Sequence, residues 1–413
     1  MSGGPLEGVR VIDLTSVVVG PLATQIMADH GADVIKVEAP EGDIMRRLAG
    51  RSVTAGMSPK FLHLNRNKRS IALDLKQPAG YAALLKLLEE ADVFVWNMRP
   101  AAIARLKLTH EDVRKINPRL ITCAMFGFGQ DGCYRDKPAY DTIIQGAAGF
   151  AALNHRALGE PRYFPMVIAD RSVGLVALQM ILMCLYRRER TGEGEAIEVP
   201  MFENTAKAVL EEHMYLRTFE PPLGGTGDPR LLDPAARPLP TKDGWICITG
   251  NTNEQAFVMF DAIGRPELKA DPRFCSLEAR FEHTAEYYSI RSEGMKLKTT
   301  AEWMEIFVDA DVPAMPYQTL EQIIDDPHIG QVGLLRLTTH PTEGQVWTVG
   351  TPNKLSGGSR DDFLPAPKIG QHSVEILRQA GYSEGEIESL VATRAVLDGR
   401  IDRDKPTDRE GAR

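Results

Sequence analysis

Short apolar runs alternate with amphipathic segments over the first half of the chain. The apolar runs predict buried strands at residues 9–15, 33–39, 70–75, 92–97, 120–128 and 195–201. Helical patterns fall between these runs at residues 22–32, 81–91 and 110–116. Strands that alternate with helices predict an α/β domain with a mainly parallel sheet, whose ligands bind beyond the carboxyl ends of the strands.

One uncharged run, from Ser172 to Tyr186, is followed by a basic cluster and then by Gly192 and Gly194. The run is shorter than the roughly 20 residues that cross a bilayer, so it predicts a buried core helix and no membrane span. Asp170 stands just before the run, at or near the N-cap of the predicted helix. Taken alone, this position predicts that the Asp170 carboxylate accepts the free N–H groups of the first turn.

A Pro/Gly-rich stretch at residues 220–240 is the candidate domain boundary. A strand pattern and several helical segments follow and predict a smaller α+β unit up to about residue 328. Strand-like pieces and a final amphipathic helix follow from residue 331. Residues 399–413 are charged enough to form a loose tail.

The composition narrows the class of protein. The chain has 413 residues, of which 43% are hydrophobic and 25% charged, and this is typical of a soluble globular protein with room for two domains. A net charge of −8 gives no reason to expect a nucleic acid or a membrane surface as partner. Five cysteines without a C-x-x-C pair predict neither a disulfide framework nor a zinc site, and favour the cytoplasm.

One glycine motif invites a dinucleotide interpretation. Residues 127–132 read GFGQDG and match G-x-G-x-x-G after a predicted strand. The third glycine should lead into a helix, but CYRDKP follows, so we interpret the match as accidental. Basic residues at residues 65–70, 97–105 and 135–141 follow strands and could face a phosphate, although each alone is more typical of a solvated turn.

The sequence resembles the class III CoA-transferase family, the CaiB/BaiF family that includes formyl-CoA transferase. The resemblance covers nearly the whole chain, and the order and spacing of its segments are specific. It is carried by the following segments: LEGVRVIDLTSVVVGPLATQIMADHGADVIKVEAPEGD, LNRNKRSIALDLKQPAG, ADVFVWNMRPAAIARL, NPRLITCAMFGFGQDG, PAYDTIIQGAAGF, IADRSVG and RRERTGEGEAIEVPMFE.

The resemblance implies a fold and a mechanism. It implies a large Rossmann-like α/β domain built from both chain ends (1–220 and 331–413), a small α+β middle domain (221–330), and an interlocked homodimer. It places the family's nucleophile at Asp170, which would attack an acyl-CoA thioester and carry the acyl group and CoA in turn as covalent intermediates. We expect local dipoles to favour the Asp170 anion.

The resemblance also implies the ligands and their contacts. Acyl-CoA and a small carboxylic acid are the expected substrates, with no metal and no permanently bound cofactor. Asn97, Arg105 and Lys137 are placed near the adenosine and phosphates of CoA, which suits the cationic side chains. Leu73 is placed against the adenine. Tyr140 and Asp141 match a pair beside the nucleophile, although the Tyr140 ring could instead serve helix packing.

Two departures from formyl-CoA transferase bear on the substrate. Val18 stands where that enzyme has a glutamine near the acyl group, and Ala39 stands where it has an arginine near the adenine. The first departure argues against formate and oxalate and makes a short dicarboxylate, such as succinate or glutarate, plausible. The arginines that could hold a second carboxylate are Arg46, Arg47, Arg162 and Arg171.

Two alternatives stay open. An α-methylacyl-CoA racemase of the same family needs a base and an acid on opposite faces of one carbon, and Tyr140 stands where the racemase pattern has its histidine. Tyrosine, with its high usual pKa, is a poor replacement for that base. The other alternative is a CoA-binding protein without chemistry, in which Asp170 is only a helix cap.

Overall fold

The computed structural model describes residues 4–48, 50–356 and 363–400. Within these ranges the strands are β1 (Arg10–Leu14), β2 (Asp33–Glu38), β3 (Arg69–Leu73), β4 (Val93–Trp96), β5 (Ile121–Phe126), β6 (Ala196–Pro200), β7 (Leu239–Pro240), β8 (Trp245–Ile248), β9 (Ala314–Pro316), β10 (Leu335–His340), β11 (Gly344–Val349) and β12 (Val396–Leu397).

The α-helices of the same ranges are α1 (Val19–Asp29), α2 (Met45–Leu48), α3 (Pro59–Asn65), α4 (Pro78–Leu88), α5 (Pro100–Arg105), α6 (His110–Val113), α7 (Asp141–Ala147), α8 (Phe150–Leu158), α9 (Ile168–Thr191), α10 (Met201–His213), α11 (Pro229–Leu232), α12 (Asn253–Ala262), α13 (Leu277–Glu282), α14 (Thr284–Met295), α15 (Thr300–Asp309), α16 (Leu320–Ile324), α17 (Pro327–Gln331), α18 (Ser373–Gln379) and α19 (Glu384–Ala392). Two short 3₁₀ helices cover Tyr215–Thr218 and Pro266–Lys269.

A seven-stranded sheet organises the larger part of the chain, in the order β12-β3-β2-β1-β4-β5-β6. Its pairs are parallel apart from β12, which runs antiparallel to β3. The predicted α/β class with a mainly parallel sheet is therefore confirmed. The strand order reverses at β1, so the loops after β1 and β4 diverge to opposite sides and leave the crevice in which such sheets bind ligands.

Contacts divide the chain into two compact units. The first comprises residues 1–148, 165–205 and 332–413, and the second comprises residues 149–164 and 206–331. This division is not the same as the predicted boundaries near 221 and 330, because residues 149–164 and 206–220 belong to the second unit. The Pro/Gly-rich stretch thus lies inside the second unit. The predicted tail lies almost wholly outside the described residues, since only 399 and 400 are described.

Each unit has its own apolar core. In the first, side chains of α4, α18 and α19 pack with Ile12, Ile71 and Phe94 of the sheet. In the second, the antiparallel sheet β7-β8-β9 packs with the helices that follow it, around the fully buried Trp303 and Phe307. Continuous apolar runs in the parallel strands and helical patterns of period 3.6 account for the first core, and the second core is formed mainly by helices.

Helix α9 differs from the predicted buried core helix. Its length and composition are those of a membrane-crossing helix, as for no other helix in the described ranges, but this alone is weak evidence because core helices of globular proteins share it. One face packs on α1, where a side chain at Gly174 would meet the carbonyl oxygen of Val19 at 2.7 Å. The other face exposes large apolar side chains, with Met183 and Tyr186 each 62% exposed. The predicted core helix is therefore buried on the face that packs on α1 and exposed on the other.

The glycine motif at residues 127–132 forms no dinucleotide site. The chain continues through turns and extended backbone until α7 begins at Asp141. The backbone N–H groups of Gly129 and Gln130 already donate to the carboxylates of Glu203 and Glu198, at 2.9 and 2.8 Å. These N–H groups are thus paired with anions of the protein, which confirms that the sequence match was accidental.

Candidate active site

Asp170 is the third residue of α9, two positions after the helix begins. The N-cap is Val167, and its side chain makes no capping hydrogen bond. The backbone N–H of Asp170 donates instead to Oδ1 of Asp141, at 3.0 Å. Asp170 is therefore near the cap, as predicted, but the carboxylate that satisfies the helix start belongs to Asp141 and the Asp170 carboxylate is left for another purpose.

Asp141 is held in place from its own helix. Its Oδ2 accepts a hydrogen bond from Nε2 of Gln145 at 2.6 Å, one turn along α7. The same Nε2 donates to the carbonyl oxygen of Met166, at 3.0 Å, just ahead of α9. The Gln145 side chain thus links the first turn of α7 to the chain that leads into Asp170, and both carboxylates are buried.

Burial and charge set the protonation of Asp170. The residue is only 8% exposed. Loss of solvent, and then the nearby Asp141 carboxylate, raise the pKa of Asp170 to about 7, against the smaller opposing effect of Arg171 and Lys60. Our expectation that local dipoles would favour the anion does not describe the balance, because desolvation dominates. A carboxylate whose pKa lies near neutral pH is ionised often enough to attack and is more basic than an exposed aspartate.

One side chain links the loops after β1 and β4 at the sheet reversal. Asn97, just after β4, accepts the backbone N–H of Ser16 at 3.0 Å and donates to the Ser16 carbonyl oxygen at 2.8 Å. Next to Ser16, Val17 has a φ of 70°, which a β-branched residue rarely adopts. Its N–H donates to Asp43 at 3.2 Å. Such strain persists only where the surroundings fix the backbone, and it is concentrated at functional sites.

A buried ionic network contacts the loop at residues 15–18. Nζ of Lys68 lies 3.0 Å from Asp13, and Nζ of Lys36 lies 3.0 Å from Asp43 and 2.9 Å from the carbonyl oxygen of Thr15. Burial would raise the pKa of Asp13, but Lys68 and Lys36 hold it well below its usual range. Burial lowers the pKa of Lys68 to about 8 despite Asp13. The network therefore fixes the loop at residues 15–18 next to α1.

The residues predicted for CoA do not share one environment. Asn97 has both groups of its amide engaged with Ser16, and Leu73 is fully buried in the core, so its side chain offers no surface to an adenine ring. Arg105 ends α5 and is exposed. Lys137 is exposed, and its Nζ lies 4.0 Å from the centroid of the Tyr134 ring. The Lys137 ammonium could leave this ring to bind a phosphate.

Tyr140 and Asp141 are adjacent but differ in accessibility. Tyr140 is the N-cap residue of α7 and its side chain is 72% exposed, so its ring does not pack as a core residue would. Asp141 is buried against the start of α9. The geometry therefore brings Asp141 to Asp170, whereas the ring of Tyr140, the residue before Asp141, is exposed.

The four candidate arginines differ in the partners that they bind. Arg46 is buried, forms two 2.7 Å hydrogen bonds to Glu38 and lies over the ring of Phe61, so it is committed to the structure. Arg162 is exposed and paired with Glu160. Arg47 is exposed and reaches the carbonyl oxygen of Glu41. Arg171 differs, because its Nε is buried and has no hydrogen-bond partner among the described residues.

Sequence reasoning missed several residues that shape the site. Gln145 lies four residues after Asp141, a spacing that places both on one helix face, so this pair could have been found. The buried pairs of Asp13 with Lys68 and of Lys36 with Asp43 carry no sequence signal, because their partners are far apart along the chain. Among the described residues, no group of three or more His, Cys, Asp or Glu side chains could hold a metal.

The chain matches the model of a known family, CoA-transferase family III, over residues 6–373. It is 31% identical to mouse succinyl-CoA:glutarate CoA-transferase, an alignment that covers 95% of this chain and 90% of the relative. It is 32% identical to succinate–glutarate CoA-transferase of Agrobacterium fabrum, over 91% of this chain and 95% of the relative. It is 33% identical to formyl-CoA:oxalate CoA-transferase of Streptomyces avermitilis, over 93% and 98%.

Solved structures resemble the fold over the same length. A CAIB/BAIF family protein from Brucella suis has a TM-score of 0.77 at 28% identity, with 92% of this chain and all of that chain covered. A hypothetical protein from Mycobacterium tuberculosis has a TM-score of 0.79 at 28% identity, covering 91% of this chain.

Proposed function

The chain belongs to CoA-transferase family III, and we propose that it moves CoA from an acyl-CoA thioester to a free carboxylic acid through covalent intermediates on Asp170. The observation that carries the role of Asp170 is its placement. It is a buried carboxylate at the start of α9 whose backbone N–H is capped by Asp141, so its own oxygens are not needed for the helix.

The first half of the proposed reaction transfers the acyl group and then CoA to the enzyme. An oxygen of the Asp170 carboxylate attacks the thioester carbon, and the C–S bond breaks. CoA leaves as a thiolate, and Asp170 and the acyl group are joined as a mixed anhydride. The thiolate then attacks the aspartyl carbonyl carbon of the anhydride. The first acid leaves as a carboxylate and Asp170 is left as a thioester of CoA.

The second half reverses these steps with the incoming acid. Its carboxylate attacks the aspartyl thioester and displaces the CoA thiolate, which gives a new mixed anhydride. The thiolate attacks the acyl carbonyl of that anhydride, which forms the new acyl-CoA and restores the Asp170 carboxylate. Each acyl bond is exchanged for another, so the energy of the thioester is conserved as long as water stays out.

The electrostatics of the site support this sequence. Desolvation and the Asp141 charge raise the pKa of Asp170 to about 7, so the anion that is present near neutral pH is a stronger nucleophile than an exposed aspartate. The strained loop at Val17 and the network beneath it keep the neighbouring backbone rigid. No resident cofactor enters the scheme, because every bond that forms or breaks belongs to Asp170, CoA or the two acids.

For CoA itself, the proposed contacts are of two kinds. Exposed Arg105 and Lys137 would bind its phosphates, and Tyr140 would lie beside the reacting end. Asn97 would act on CoA indirectly, by fixing the position of the Ser16 loop, since its amide is occupied by that loop. Leu73 would contribute as a buried support beneath the adenine site, because its side chain is not accessible.

Assembly and location complete the proposal. We infer an interlocked homodimer with a large domain from 1–220 and 331–413 and a small middle domain, and the exposed apolar face of α9 supports a partner subunit that covers it. All five cysteines are unpaired, which supports a location in the reducing cytoplasm. No contact with a nucleic acid or a membrane is part of the proposal.

A short dicarboxylate is the proposed substrate class. Two of the relatives are named for succinate or succinyl-CoA and glutarate. Val18, at the position of the glutamine of formyl-CoA transferase, is buried in an apolar cluster and offers no polar group to formate or oxalate. An acid with its second charge further from the reacting carbon suits this arrangement.

Trapping with hydroxylamine tests the proposal. The protein is mixed with succinyl-CoA and hydroxylamine, and peptide mass spectrometry looks for a hydroxamate on Asp170. Asp170→Asn is the matched control, because Asn keeps the size of the side chain and removes the nucleophile. A hydroxamate on Asp170 in the wild type, with none in the variant, is the expected result.

The alternatives predict other outcomes of the same experiment. A CoA-binding protein without chemistry would give no hydroxamate with any acyl-CoA. A racemase would give none either, and would exchange the α-proton of a 2-methylacyl-CoA in deuterated water without transfer to an acid.

A further inference from the structure

Arg171 is a cationic side chain whose pairing is incomplete. Its Nε is buried and has no hydrogen-bond partner among the described residues, although the residue as a whole is partly exposed. A buried donor without an acceptor is unfavourable. Nε of Arg188, on the same helix, also lacks a partner, but the other nitrogens of that guanidinium bind Asp92. An anion from outside the chain would supply the acceptor that Arg171 lacks.

The charges around Arg171 show what such an anion would meet. Arg171 follows Asp170 directly on α9, and neighbouring residues of a helix point about 100° apart, so the two side chains leave the helix in different directions. Arg171 is close enough to His63 of α3 to contribute to its low pKa, after burial and Arg66. Lys60 of the same helix is exposed and acts on Asp170 with the same sign.

In the part of the chain that the structure describes, no carboxylate accepts a hydrogen bond from Nε of Arg171. Asp141 already accepts from the N–H of Asp170 and from Gln145. Asp170 must stay available to the thioester. The substrate would supply such an anion if it is a diacid, because its second carboxylate stays free while the first one reacts.

We propose that Arg171 binds the far carboxylate of a dicarboxylic acyl group while the near carbonyl reacts at Asp170, which makes Arg171 the residue that selects diacids over monoacids. This inference rests on the proposed function, since it needs an acyl group on Asp170. A guanidinium suits the task because its planar fork donates hydrogen bonds to both oxygens of a carboxylate. Lys60 adds positive charge on the same side and has no part in the chemistry.

A matched pair of donors tests the proposal. Succinyl-CoA and butyryl-CoA both carry a four-carbon acyl group and differ in the far carboxylate alone. The rate at which each donor forms the Asp170 hydroxamate is measured in wild type and in Arg171→Met, which keeps the length of the side chain without its charge. We expect Arg171→Met to lose about 10- to 100-fold with succinyl-CoA, the range of a charge-assisted hydrogen bond, and little with butyryl-CoA.

Two further variants separate selection from folding. Arg171→Lys keeps the charge but not the fork, and we expect a smaller loss confined to succinyl-CoA. Arg187→Met removes an exposed arginine of the same helix that is paired with Glu195, and should leave the ratio of the two rates unchanged. Circular dichroism checks that each variant is folded. If Arg171→Met does not fold, the rates of the two donors in Arg171→Lys test the proposal.

The outcomes that overturn the inference are distinct from those that overturn the proposed function. Equal losses on both donors in Arg171→Lys, or a wild type that shows no preference for succinyl-CoA, would contradict the role of Arg171 and leave the transferase intact. Absence of a hydroxamate with either donor in the wild type would remove the proposed function itself.

Discussion

The carboxylate of Asp141 accepts the backbone N–H of Asp170 at 3.0 Å, so two buried acids meet at the start of one helix. Each has its own task. Asp141 satisfies the helix, and its charge keeps the proton of Asp170 in place at a higher pH than an isolated aspartate would. Removing one charge should therefore change the chemistry of the other residue.

Asp141→Asn should shift the pH dependence of CoA transfer to lower pH. The pKa of Asp170 is raised to about 7, first by burial and then by Asp141, so loss of the Asp141 charge lowers it. Because the Asp170 anion is the proposed nucleophile, the acid side of the kcat/KM profile should rise at a lower pH than in wild type. An unchanged profile would show that Asp170 is not the group that titrates. Gln145→Glu, which adds a charge beside Asp141, is expected to move the profile in the opposite direction.

Asp170→Asn should be inactive and more stable than wild type above neutral pH. The folded-state pKa of Asp170 lies above the usual value, at about 7 against 3.8, so folding takes up a proton and the wild type loses stability as the pH rises from about 4 to about 7. At pH 8 the variant should gain up to about 4 kcal/mol in the free energy of unfolding. The gain should vanish near pH 4.

Urea unfolding at pH 5 and pH 8 measures this difference. Asp131→Asn is the control, since Asp131 is exposed in the loop after β5 and should show no gain at either pH. A variant at Asp170 that is less stable than wild type at pH 8 would contradict the raised pKa.

Asp13→Asn should destabilise the fold far more than Asp33→Asn. Asp13 is fully buried and pairs with Lys68 at 3.0 Å, so its loss leaves a buried ammonium without its partner, at a cost of about 3–5 kcal/mol. Asp33 also forms ion pairs, with Arg69 at 2.6 Å and with Arg10, but it is about one third exposed and should contribute less than about 1 kcal/mol. Equal effects in urea unfolding would argue that solvent reaches the Asp13 network.

Arg105→Gln and Lys137→Gln should weaken the binding of CoA without slowing the chemistry. Each is exposed and is proposed to meet a phosphate, so each variant should raise the KM for acyl-CoA by about 10-fold and leave kcat near wild type, as loss of one charge-assisted contact implies. The effect should shrink at high salt. Lys115→Gln removes an exposed lysine paired with Asp112 and should leave the KM unchanged. A fall in kcat alone would contradict the phosphate contact.

The sequence by itself determined the α/β class and six of the seven strands of the main sheet, and its family resemblance placed the proposed nucleophile at Asp170. The strands follow from continuous apolar runs and the helices from a period of 3.6 residues, which are local properties. The apolar run beside Asp170 predicted only a helix cap, and the family resemblance named Asp170 as the proposed nucleophile. The accidental nature of the glycine motif was also readable, since the helix that should follow it is missing from the local pattern.

Only the tertiary structure decided which residue caps α9 and where the apolar face of α9 is exposed. It also decided that, of the four candidate arginines, Arg171 is the one whose buried Nε has no hydrogen-bond partner among the described residues. Asp141 and Asp170 are 29 positions apart in the sequence. Arg46 donates a hydrogen bond to the carbonyl oxygen of Pro367, which is 321 positions away. Hydrogen bonds, burial and pKa values depend on such distant contacts, and a local pattern records none of them because the packing of one segment is set by its partners.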